Sequence, residues 1–132
     1  MAMIEMVYEG LYGVGFWSAP VFISATLFRD YQLVALPVSF GLLPVLVGMM
    51  GHMMNSVVLD MVFVKMIATN RSSRLLTAGL GGLYGIILFF IMWFGVLPVI
   101  DPVMLHLNPI VFAFAHVMWG GIIGALVSKR TV

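Results

Sequence analysis

Cysteine is absent from the chain, so disulfide bonds and thiolate metal centres are excluded. Charge is scarce as well. Six Lys or Arg and five Asp or Glu make up 8% of the 132 residues, where a soluble globular domain carries roughly 25%. A chain this small with so few charges could not cover its surface in water. Its net charge of +1 leaves no electrostatic footprint for nucleic acid. Enzyme signatures are missing too: there is no GxxxxGK[ST] phosphate loop, no HExxH and no GxSxG. No residue is assigned a catalytic role, and nothing marks the chain as catalytic by itself. The basic start of a secretory signal is also lacking, because the first apolar run follows Glu5 and Glu9.

What is present is apolar sequence in runs long enough to cross a bilayer, for which a helix needs about 20 residues. The pattern predicts an all-α membrane protein of four transmembrane helices forming a single integral domain over residues 1–132. The first span is expected from about Gly10 to Phe28, ending at Arg29–Asp30. The second falls within Val34 to Ile67, its start bounded or kinked by Pro37 and Pro44. The third runs from about Ala78 to Ile100, closing at Asp101–Pro102. The fourth runs from Pro109 to about Val127, with proline in the first turn where its missing N–H costs nothing.

Basic residues then set the orientation. Four spans put Lys65, Arg71, Arg74, Lys129 and Arg130 on one side and Arg29 alone on the other. The positive-inside rule makes both termini cytoplasmic. A plasma membrane of prokaryotic type is the expected location. Asn70-Arg71-Ser72 matches a glycosylation acceptor but faces the cytoplasm on this topology, so it is read as chance.

The two halves echo each other. Pro44 to Lys65 and Pro109 to Lys129 align His52 with His116, Val47 with Val111, Met54 with Met118 and Lys65 with Lys129. Gly10-Leu11-Tyr12-Gly13 opens the first span and Gly82-Leu83-Tyr84-Gly85 lies early in the third. The expectation is two duplicated hairpins of like orientation, about 1–69 and about 70–132.

Residues four apart share a helix face. Gly48, His52, Ser56 and Asp60 form one such row, and Phe112, His116, Gly120, Gly124 and Ser128 another. Helices in lipid associate through small residues and hydrogen bonds rather than through hydrophobicity. Gly48, Gly81, Gly85, Gly120 and Gly124 are therefore expected at helix contacts. An ionisable side chain at membrane depth is costly and marks a candidate site. His52, Ser56, Asp60 and His116 compose that candidate polar site.

Several roles compete for these residues. Each imidazole could simply bond a carbonyl, hydroxyl or water and fix helix register. The pair could ligate a haem b, histidine being a standard axial ligand. Alternatively, with Ser56 and Asp60 they could line a proton or solute path. For Asp60 a structural hydrogen bond from Tyr12 or Tyr84 is expected. Met49, Met50, Met53 and Met54 flank His52, but successive helical residues point about 100° apart. They cannot converge on one ion, so copper is not expected despite the soft donors. Met104 and His106 are placed in an outer loop, able to hold a metal only with outside help. Asp30, Asp101 and Arg29 are read as solvated turn residues, and Trp93 and Trp119 as packing residues.

Three functions follow from this reading. The leading expectation is a non-catalytic accessory subunit of a larger membrane complex of oxidase or electron-transfer type. Its partners would be the lipid bilayer and other membrane subunits or further copies of the chain, and it would need no assured cofactor. The alternatives are a small oligomeric transporter or channel with a His/Asp path, and a bis-histidine haem b protein.

Overall fold

A computed structural model describes residues 1–67 and 73–128. Among them the regular structure is entirely helical. Three helical segments are long and apolar enough to cross a membrane: Leu42–Ile67, Arg74–Ile100 and Pro109–Val127. The chain is thus an all-helical protein built for lipid. Arg71, the Asn70-Arg71-Ser72 acceptor pattern, Lys129 and Arg130 lie outside the described residues.

The segment expected as a first span is not one helix. Helix α1 covers Ala2–Tyr12 and α2 covers Ser18–Ser24. At 1.5 Å per residue they are about 16 and 10 Å long, and neither covers a hydrocarbon layer about 30 Å thick. Local chemistry explains the break. Gly15 adopts φ +116°, a conformation that residues with a side chain rarely take. A Cβ on it would also come within 2.9 Å of the Val38 nitrogen. The Glu9 carboxylate receives the Val14 N–H at 3.0 Å and the Asn108 N–H at 2.8 Å. The turn after α1 is thereby tied to the start of the last helix.

Helix α2 lies at the centre. Ser18, Ala19, Pro20, Val21, Phe22 and Ser24 are all buried. Its side chains are small or apolar on every side, with the Ser24 hydroxyl returned to the Val21 carbonyl, so the helix can be enclosed all round. It packs along α3 (Leu42–Ile67) and touches α1, the 3-10 turn Arg29–Leu33 and a second 3-10 turn Pro102–His106. The main core joins Ala19, Val21 and Phe22 to Met6, Val45, Leu97, Met104, Leu107 and Phe112. That core sits at the end of the molecule where α3 begins and the last helix begins, which also holds the prolines and is called here the proline end.

Pro44 and Pro109 both lie in the first turns of their helices, Pro44 bounding rather than kinking its helix. Helix α3 begins at Leu42, and the last helix, α6 (Pro109–Val127), begins at Pro109. Asn108 caps α6 by accepting from Ile110 and Val111 at 3.0 and 3.3 Å. The remaining long segment is α4 (Arg74–Phe90), a π-helical stretch Ile91–Val96, and α5 (Leu97–Ile100). The wider turn precedes Pro98, whose ring has no N–H to offer the carbonyl four residues back.

The expected packing glycines divide between two contacts. Gly81 and Gly85 on α4 face Gly120 and Gly124 on α6, backbone against backbone. A Cβ at Gly81 would overlap the Gly120 carbonyl, and one at Gly85 the His116 carbonyl. Gly48 instead meets α2, where a Cβ would overlap the Pro20 carbonyl. The two Gly-Leu-Tyr-Gly motifs have different settings. Gly10–Gly13 ends α1, whereas Gly82–Gly85 lies within α4.

Helix α3 is not packed along α4 or α6. At the proline end α2 is wedged beside it. Toward the other end, marked by Lys65 and Arg74, the Tyr84 hydroxyl donates to the Leu59 carbonyl at 3.0 Å. There the Tyr84 ring lies 5.2 Å from Phe63. A gap remains between these two points of contact.

Candidate functional site

The gap is a partly enclosed cavity of about 390 Å³, within the size range of small-molecule pockets. Its walls come from widely separated segments of the chain, with none from α4. Ile23, Thr26 and Leu27 follow from α2, and Val47, Gly51 and Leu59 from α3. Met92, Leu97 and Met104 close one side, with Phe112 on α6 behind them. The lining is mostly apolar. Its polar side chains are Glu5, Thr26, His52, Asn55, Asp101 and His116, and Met1, with the N-terminal amino group, lines it too.

Of the four residues proposed as the polar site, His52 and His116 line this one cavity, and Ser56 and Asp60 do not. His116 is buried, and its Nδ1 lies 2.8 Å from the Phe112 carbonyl of its own helix. Its ring centroid is 4.4 Å from that of Phe112. His52 is half-buried on α3. Asp60 keeps Oδ1 buried without a hydrogen-bond partner among the described residues. The bond expected from Tyr84 goes to the Leu59 carbonyl instead. Tyr12 is exposed, its ring against Tyr8 at 5.6 Å. Both tyrosines sit on α-helices other than that of Asp60, and the four-residue spacing rule orders residues within one helix only.

Three polar groups on the cavity escaped the reading of the sequence. Asp101 is buried rather than solvated. It accepts from the Thr26 hydroxyl at 2.8 Å and from the Gln32 side chain, while Arg29 donates to the adjoining Ile100 carbonyl. Burial pushes its carboxyl above the usual range, partly opposed by those two hydrogen bonds and the Arg29 charge. Asn55 follows His52 by three residues and so shares its side of the helix, a spacing visible in the sequence. Glu5 is 3% exposed and has no hydrogen-bond partner among the described residues. Desolvation pushes its carboxyl up to about 7, with the Met1 amino group opposing the rise and Glu9 adding to it. Nothing in the sequence foretold that α1 would fold back against α6 and bring Glu5 inside.

Met104 is buried in the core, and the His106 ring nitrogen Nδ1 is 3.0 Å from the Val103 carbonyl. Met104 is therefore taken up by the core, whereas His106 is exposed on the 3-10 turn Pro102–His106. Among the described residues no group of three or more His, Asp or Glu side chains converges as a metal site.

The Asp101 cluster ties the chain after α2 to the end of α5. Thr26→Val removes a donor to a buried carboxyl while keeping its shape. A loss of about 2 kcal/mol is expected, in the range for hydrogen bonds to charged groups. Equilibrium unfolding in mixed micelles measures it.

Fold and cavity together define an all-helical membrane protein with a polar-tipped apolar pocket between its long helices. Comparison with protein families, with curated proteins and with solved structures gives no match in any of the three.

Proposed function

We propose that the chain is a small integral membrane protein that binds a lipophilic small molecule in the cavity between His52 and His116. One observation carries this reading: two imidazoles from different long helices line a single, mostly apolar space of about 390 Å³. Pockets with apolar walls and a few convergent polar groups are the usual form of small-molecule sites. The reading is closest to the transporter alternative, with the histidines as its polar centre and without Ser56 and Asp60 in the path. The Lys65–Arg74 end faces the cytoplasm by the positive-inside rule. The N-terminal arm, α1 and α2, enters the bilayer from the opposite face beside three continuous spans.

The test is photolabelling in proteoliposomes with a diazirine-bearing alkylbenzene, mapped by mass spectrometry. Label is expected on the cavity walls of α2, α3 and α6. Gly51→Leu places a side chain where only Ile23 approaches, at 3.8 Å, and directs bulk toward the cavity. It is expected to cut labelling there at least tenfold, with thermal stability unchanged. Label spread evenly over the lipid-facing surface, in wild type and variant alike, overturns the reading.

A role as an accessory subunit is a second reading, supported by α3. Its Leu46, Met50, Met53, Met54, Val57 and Met61 are exposed, and a neighbouring subunit's helix could cover them as well as lipid. Mild extraction that yields only this chain removes that reading. The absorption spectrum of the same preparation tests for haem.

A further inference from the structure

The hydrogen-bond chemistry of the cavity specifies what its occupant must carry. The Phe112 carbonyl can only accept, so the neutral His116 ring holds its proton on Nδ1, which donates across 2.8 Å. That leaves Nε2 as an acceptor. It has no protein partner among the described residues, and it is not among the fully occluded unpaired atoms. Because His116 is buried and lines the cavity, the space open to Nε2 is the cavity itself.

A second group points the same way. Glu5 is 97% buried by its 3% exposure, lines the same cavity, and finds no partner there. The other carboxylate on the wall, Asp101, is already engaged by Thr26 and Gln32. Buried polar groups in native folds are almost always paired, by protein, water or ligand. The Met1 amino group shares this wall and acts on Glu5 through its charge, without a hydrogen bond to it. An acceptor nitrogen and a carboxyl free of hydrogen bonds in a mostly apolar chamber call for an apolar molecule with a donor at one end.

We propose that the cavity binds a lipophilic molecule by its hydroxyl group, which donates to Nε2 of His116 and lies against the Glu5 carboxyl. This rests on the cavity being a small-molecule site. It adds that the ligand is an alcohol or phenol rather than a carbonyl compound or a plain hydrocarbon. Burial holds Glu5 near 7, so near neutral pH its carboxyl can be protonated and can donate to the same hydroxyl oxygen. His52 and Asn55 complete the polar wall and can take either role.

The experiment uses the full chain in lipid nanodiscs with three probes: 4-octylphenol, its methyl ether and 1-decanol. Calorimetric binding is expected to favour the phenol over the ether at least tenfold. In ¹⁵N-histidine NMR, the phenol moves the His116 Nε2 resonance and the ether does not. His116→Phe keeps ring bulk and removes the acceptor, and the phenol and ether should then bind alike. If decanol matches octylphenol, the hydroxyl alone is recognised and a lipid alcohol fits. If octylphenol binds more tightly, the ligand is aromatic. Equal binding of phenol and ether to wild type overturns the hydroxyl inference and leaves the apolar site standing. Absence of cavity binding by any probe overturns both. The NMR measurement needs no variant and decides the matter even if His116→Phe fails to fold.

Discussion

Gly120→Leu is expected to destabilise the protein by about 3 kcal/mol or more, the upper range for overpacking. The reason is what stands opposite. A Cβ at Gly120 would overlap the Gly81 carbonyl, with the Gly85 nitrogen 3.2 Å away. Backbone atoms inside a hydrogen-bonded helix cannot rotate aside as a flexible side chain can. The helices must separate, and Gly81, Gly85 and Gly124 lose their close approach together. Gly79 and Gly95 supply the control, since nothing lies within 4 Å of a Cβ at either. Gly79→Ala should be neutral or stabilise by up to about 1 kcal/mol through helix propensity. Unfolding in mixed micelles measures both. A Gly120→Leu variant as stable as Gly79→Ala would show that α4 and α6 do not meet through these glycines.

Stability is also expected to fall as pH rises from about 4.5 to about 7. Burial raises the Glu5 carboxyl from 4.5 to about 7 in the folded protein. Across that window the folded state keeps a proton that the unfolded chain has released. The folded state binds more protons, so raising the pH favours unfolding. At about 1.4 kcal/mol per pH unit the full window amounts to roughly 3 kcal/mol. Above about pH 7 the contribution is constant. Asp101, also raised from 3.8, acts with the same sign beginning at lower pH. Glu5→Gln therefore isolates the Glu5 share: its unfolding free energy should lack the decline toward neutral pH that wild type shows. Parallel pH profiles for the two proteins would place the Glu5 carboxyl in contact with water.

The membrane class was legible because it needs only composition and run length. Apolar stretches with almost no charge have no soluble alternative, and three of the expected segments do form helices of spanning length. The boundaries near Pro44 and Pro109 were legible because proline's missing N–H acts within one turn. Gly81, Gly85, Gly120 and Gly124 could be read as contact residues from their spacing on a helix.

The first apolar segment was misleading, since Gly10 to Phe28 has the length and greasiness of a span. Yet Gly13 and Gly15 permit a turn that composition cannot weigh, and Glu9 secures it by reaching Asn108 across the chain. The same limitation hid Glu5 and Asp101. Each looks like an end-of-helix charge in sequence, and each is buried only because distant segments cover it.

Sequence by itself determined that this protein lives in lipid, that two of its three long helices begin at prolines, and that glycine rows join two of the three. Those properties follow from interactions within a few residues or from summed hydrophobicity. Tertiary structure alone decided that a seven-residue helix, Ser18–Ser24, forms the centre and that His52 and His116 face one cavity with Glu5 between α1 and its neighbours. Such outcomes depend on which surfaces exclude one another in three dimensions. Local spacing carries no information about that until the chain has closed on itself.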